Sequence, residues 1–171
     1  GLPVLRPLNY PPGVPGVGYQ RAGDVLVVNA MGRVFVGMID CPFRSMDSLL
    51  GSLDPRPAVV VVDFHAEATS EKEALGWYLD GRVSAVVGTH THVATADARI
   101  LPKGTAYVTD LGMVGPINSI IGNTPEDVLP RFLYQTPTRL GVARGPVRVS
   151  SVLVEVDSVS GRAVSIQRVD R

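Results

Sequence analysis

At 171 residues and 45% hydrophobic content, the chain is long enough to bury one substantial core, and none of its apolar runs reaches membrane-spanning length. Lys plus Arg and Asp plus Glu number 16 each, for a formal net charge of zero. With its arginines scattered singly, the chain has no basic run to make a nucleic-acid surface. A lone cysteine, Cys41, excludes an internal disulfide and suits a reducing compartment, and no secretory signal opens the chain, so composition points to the cytoplasm.

Gly1 to Gly18 is rich in Pro and Gly and is expected to be an irregular surface connection. An opening without Met, strand or helix reads as a chain cut or processed upstream, with part of its fold elsewhere. Asp24 to Asn29 (DVLVVN) predicts a strand, followed by a turn at Gly32 and a short run from Arg33 to Val36. Ser45 to Leu50 predicts one or two helical turns capped by Ser45. Pro55 and Pro57 interrupt the chain before a strand from Ala58 to Val62. Its four successive valines predict burial on both faces, hence a parallel or mixed sheet covered by helices.

A helix is predicted from Ser70 to Asp80, capped by Thr69 or Ser70, acidic in its first turn and stopped by Gly81. Ala74, Leu75 and Tyr78 form its expected inward stripe, with Trp77 packed nearby. A second strand spans Val83 to Val87. A turn at Pro102 to Gly104 leads to a strand from Thr105 to Thr109, then a glycine-rich loop holding Asp110, Gly112, Gly115 and Pro116. Neither GxxxxGK[ST] nor GxGxxG occurs, which removes the usual nucleotide fingerprints. Asn123 or Thr124 caps a helix running to Phe132, and Val147 to Val156 with Arg162 to Val169 predicts an antiparallel hairpin across Ser160-Gly161.

All three histidines lie in the strand, helix, strand unit from Val59 to Val93. In open parallel sheets, sites form outside the carboxyl ends of the strands, and here Asp63, His65 and Glu67 follow one strand while His90 and His92 follow the next. Three imidazoles on two such loops make a metal-site pattern. His90 and His92 lie two apart in the chain, and they serve one ion only if the loop turns, and two neighbouring ions more readily. Asp63 shares a face with His65, which suits it to ligate or to orient the imidazole, and Glu67 is a further orienting carboxylate. Three histidines alone leave a binuclear site short of ligands.

DFHAEATSEK (Asp63 to Lys72), LGWYLDGRVSAVVGTHTHV (Leu75 to Val93), TADARILPKGTAYVTDLGM (Thr95 to Met113) and RPLNYP (Arg6 to Pro11) resemble the YmdB family of calcineurin-like metallophosphoesterases. The resemblance implies a four-layer α/β/β/α sandwich with mixed sheets, of which this chain is the carboxy-terminal portion, residues 1–171 forming one domain without the amino-terminal part. It implies two metal ions, iron or manganese with zinc as an alternative, and a phosphodiesterase hydrolysing cyclic nucleotides or related phosphodiesters through a metal-bridging hydroxide. Under it His65 and His90 bind one metal and His92 the other. The remaining ligands and the general acid belong to the amino-terminal segment, so no catalytic acid is assigned within these residues, and the 171 residues alone are expected to be inactive. The implied partners are a small phosphodiester substrate and that missing segment; no membrane is implied, and homo-oligomerisation stays open. Val114 and Ile117 stand where the family form has Thr and Tyr, a difference that touches substrate contacts and not ligands. Two rival readings are a mononuclear metal hydrolase with a three-histidine site and a non-catalytic nucleotide- or protein-binding module.

Overall fold

The computed structural model describes residues 4–171, so the first three residues of the Pro/Gly-rich opening lie outside the description. Its centre is a six-stranded mixed sheet. β1 (Tyr19–Ala22) and β2 (Val25–Met31) form an antiparallel edge pair, and β2, β3 (Val59–His65), β4 (Ala85–Thr89) and β6 (Ala106–Val108) run parallel. β5 (Arg99–Ile100) closes the other edge antiparallel to β6, giving the order β1-β2-β3-β4-β6-β5.

Helices α1 (Pro42–Ser52) and α2 (Thr69–Leu79) cover one face of this sheet. Met46 and Leu49 of α1 and Leu75 and Leu79 of α2 pack onto Leu26, Val28, Val62 and Phe64. On the other face, β9 (Val152–Val156) and β10 (Ala163–Arg168) form a hairpin whose Val154, Ala163 and Ile166 meet Val61, Ala85 and Ala106. That cover is partial: Val25 and Val27 of β2 remain 37% and 40% exposed. β7 (Val114–Pro116) pairs with β8 (Val147–Val149), and α3 (Pro125–Tyr134) lies between them in sequence. Among the described residues no helix is long and apolar enough to cross a membrane.

The adjacent parallel strands and their connecting helix agree with the sequence reading, but several details differ. β3 runs on to His65 and β4 to Thr89, so Asp63 and His65 lie within a strand, while Glu67, His90 and His92 follow the strand ends as expected. The valine run of β3 alternates between buried and half-buried, because only one face meets the full helix layer. Arg33 to Val36 is a turn. α1 begins at Pro42, where the ring fixes a helical φ, and not at Ser45; neither Thr69 nor Ser70 caps α2, whose N-cap position is Ala68. In α2, Ala74, Trp77 and Tyr78 face outward and the buried stripe is Glu71, Lys72, Leu75, Gly76 and Leu79. Two charged residues lie inside because specific partners await them there. The opening segment is more than a connection: Asn9 is 1% exposed and donates to the Met31 and Asp40 carbonyls at 2.8 Å each. Val147 to Val149 leaves the expected hairpin and pairs with β7 instead.

Candidate metal centre

Strand register assembles the site. Met31 of β2 lies opposite His65, and His65 lies opposite Thr89; two residues earlier Asn29 lies opposite Asp63. Asp63 and His65 share a face because side chains alternate along a strand. Asn29 Nδ2 donates to Asp63 Oδ2 at 2.8 Å, and the Thr89 hydroxyl donates to Asp63 Oδ1 at 2.8 Å. Thr89 Oγ1 is also 3.1 Å from His65 Nδ1. With the Thr89 proton committed to Asp63, the network assigns Nδ1–H as donor to Thr89 and leaves His65 Nε2 with its lone pair. Asp63 therefore orients His65 through a hydroxyl and not by direct contact.

That lone-pair nitrogen is 3.0 Å from His90 Nδ1, with the two rings 88° apart. On its far side His90 Nε2 meets Glu67 Oε2 at 2.7 Å, which assigns the Nε2 proton to that contact and the lone pair to Nδ1. Two lone pairs facing each other at this distance repel unless a proton or another cation lies between them. Two nitrogens each about 2.1 Å from one metal at a right angle are about 3.0 Å apart, so the pair fits a divalent ion. Burial lowers the His65 pKa, the neighbouring His90 ring lowers it further because two imidazolium charges cannot share the site, and Asp63 opposes both in part; a neutral ligand imidazole is thereby favoured.

His92 is exposed and turns away from this pair, its Nδ1–H donating to the Ile121 carbonyl at 2.9 Å. The loop has turned, since His90 has φ 114° and His92 φ 64°, left-handed conformations that cost a non-glycine residue about 1–3 kcal/mol each. Among the described residues, no group of three or more His, Cys, Asp or Glu side chains is placed to hold a metal ion. Asn29 and Thr89 belong to the network, although no motif in the sequence marks them. Their parts follow from register, and an alternation of polar residues at the ends of predicted strands was the sole clue to them.

A layered α/β fold with imidazoles at the carboxyl ends of neighbouring parallel strands places the chain in the metallophosphoesterase type, to which a solved phosphatase of Mycoplasma pneumoniae is structurally similar (TM-score 0.88, 32% identity, 98% of this chain and 63% of that one). More narrowly, the chain belongs to the YmdB-like protein family, whose model matches residues 2–169. A 2',3'-cyclic-nucleotide 2'-phosphodiesterase of Bacillus subtilis is 49% identical over 170 residues, an alignment that takes in 97% of this chain. A crystal structure described as a hypothetical protein of Thermus thermophilus superposes with a TM-score of 0.92 at 48% identity, covering 100% of this chain and 68% of that one. The chain spans 64% of the length of the Bacillus subtilis relative.

Proposed function

We propose that these residues form the imidazole half of a two-metal centre, and that the intact protein hydrolyses 2',3'-cyclic nucleotides or related phosphodiesters. The observation that carries the reading is the 3.0 Å separation of His65 Nε2 and His90 Nδ1, each nitrogen turned inward by a partner on the far side of its ring. The similarity to the Bacillus subtilis phosphodiesterase supports the substrate class. His65 and His90 hold one ion, with His92 a ligand to a second; this division is supported by the way His92 is turned toward Ile121 while the other two rings pair. It also favours two ions over a single ion held by three histidines. Iron or manganese is the proposed metal, since imidazole with carboxylate suits either, as it does zinc.

Such ions, when bound, make a water acidic enough to attack phosphorus near neutral pH and neutralise the phosphate oxygens. The chain's own part is to fix ligand direction. Thr89 and Asp63 hold the His65 tautomer, and Glu67 holds that of His90. We assign the ligands still needed, and the acid that protonates the departing 2'-oxygen, to the part of the Bacillus subtilis relative's length that these 171 residues do not span. The half-exposed Val25 and Val27 on the uncovered sheet face are consistent with further chain packing there. Elemental analysis of the intact protein, with hydrolysis of 2',3'-cyclic AMP followed by chromatography, tests this. Two ions per chain and release of the 3'-monophosphate are expected; a metal-free protein with full turnover would refute the reading.

A further inference from the structure

We infer that the buried Lys72–Asp110 pair is a positioning device that holds the strained His90-Thr91-His92 turn in its metal-binding shape; this rests on the ligand reading above. Lys72 Nζ donates to Asp110 Oδ2 at 2.7 Å, and both side chains are 1% exposed. The same Oδ2 accepts the Thr91 N–H at 3.0 Å, and Oδ1 accepts the Gly112 N–H at 2.9 Å. Thr91 is the residue between two histidines whose φ values are both positive, and backbone of that kind persists only where its surroundings over-determine it.

Glu67 and the Ile121 carbonyl hold the two rings, and the Asp110 carboxylate holds the peptide between them. Asp110 itself is fixed by Thr95, whose hydroxyl accepts the Asp110 N–H at 2.9 Å and whose N–H donates to the Asp110 carbonyl at 3.1 Å. Leu111 N–H bonds the Gly88 carbonyl at 2.8 Å, which closes the same loop against β4. An ion removed from water needs a counter-charge and satisfied hydrogen bonds, and Lys72 with the two backbone donors supplies both. Burial pushes the Asp110 pKa up, but Lys72 and the Gly112 and Thr91 N–H groups outweigh it and hold the carboxyl below its usual range. Lys72 reaches this place from α2, beneath Gly88, where an added Cβ would sit 3.2 Å from its Cδ. Neither residue is among the ligands assigned above. Their role is to aim two imidazoles through the one peptide N–H between them.

The test uses the intact protein, with Mn²⁺ as the probe ion and the variants Asp110→Asn, Lys72→Gln and the two combined. Hydrogen exchange of the Thr91 amide is read in metal-free protein against the amides of β4, and Mn²⁺ affinity by chelator competition. In the combined variant, which removes both buried charges together, Thr91 is expected to exchange at least tenfold faster relative to β4, with Mn²⁺ binding weakened tenfold or more. A merely structural pair would lower the melting temperature of metal-free protein while leaving that exchange ratio unchanged. Should Asp110→Asn not fold, Lys72→Gln carries the same two measurements, since it removes the counter-charge that holds the Asp110 carboxylate beneath Thr91. Thr91 exchange or Mn²⁺ affinity within twofold of the unaltered protein in a folded variant overturns the inference. His90→Ala, run beside them, separates the two readings: unchanged Mn²⁺ binding there sinks the ligand assignment, whereas the exchange ratio still judges the clamp.

Discussion

His90 Nε2 lies 2.7 Å from Glu67 Oε2 while its Nδ1 faces His65 Nε2 at 3.0 Å. One ring thus links a carboxylate beyond the end of β3 to the imidazole that ends it. Replacing Glu67 by Gln keeps an acceptor but removes the charge that supports His90 as a ligand. A loss of about 10–100-fold in metal affinity or activity is expected, the usual scale for partners of metal-bound histidine. Titration of Mn²⁺ into the metal-stripped intact protein measures it; an unchanged dissociation constant would show that the contact plays no part in ligation.

Removing the proposed ligands themselves should cost more. His90→Ala and His65→Ala in the intact protein are each expected to lose one ion and to drop turnover roughly 100-fold or more, above the range for outer partners. His92→Ala should deplete the other ion. Elemental analysis beside the melting temperature of metal-free protein distinguishes this from a packing role, which would lower stability and leave metal content intact.

The 171 residues expressed alone should turn over 2',3'-cyclic AMP at least about 100-fold more slowly than the intact protein at equal metal loading. Among the described residues no group of three or more His, Cys, Asp or Glu side chains is placed to hold a metal ion, and under the proposed two-metal centre the other ligands come from residues outside them. Comparable rates from the two proteins would count against the division of the site.

Gly88 of β4 has no room for a side chain. A Cβ there would stand 1.7 Å from the Thr109 carbonyl oxygen and 2.6 Å from its carbon, contacts that only a backbone shift relieves. Gly88→Ala is expected to destabilise by about 3 kcal/mol or more, at the upper end of overpacking costs. Urea unfolding monitored by circular dichroism reads this directly, and a change under about 1 kcal/mol would contradict the backbone approach.

Asp97 ties the loop after His92 to the end of β6. Burial pushes its pKa up, but the hydroxyls of Thr109 (2.5 Å) and Thr95 (2.6 Å) and the Thr109 N–H outweigh this and hold the carboxyl below its usual value. A carboxyl with a lowered folded pKa adds stability that is fully present above the unfolded value, about 3.9, and is lost as pH falls through the folded one. The stability difference between the intact protein and its Asp97→Asn variant should therefore be flat from about pH 5 to 8 and shrink below about pH 4. Denaturant midpoints at a series of pH values provide the measurement; a difference that grows on acidification would reverse the sign.

Hydrophobic patterning was enough, from the sequence alone, to place β3, α2 and β4 in order, because four valines in succession and a glycine-stopped helix are local signals. The polar cluster at the strand ends was legible for the same reason, as was the family resemblance in the DFH and GTHTH segments, and the family match over residues 2–169 agrees with it. What the tertiary structure alone decided was which partners those residues have. The alliance of Asn29, Asp63 and Thr89 around His65 depends on inter-strand register, which no single segment encodes. Glu71 and Lys72 are both buried: Glu71 accepts the N–H groups of Arg33 and Val34, and Lys72 pairs with Asp110, 38 positions away in the chain. α2 turns Glu71 and Lys72 inward together with Leu75 and Leu79, and this leaves Trp77 53% exposed. Periodicity records the average preference of side chains for water. A buried charge is decided by the one counter-charge that meets it, and only the folded chain brings that partner near.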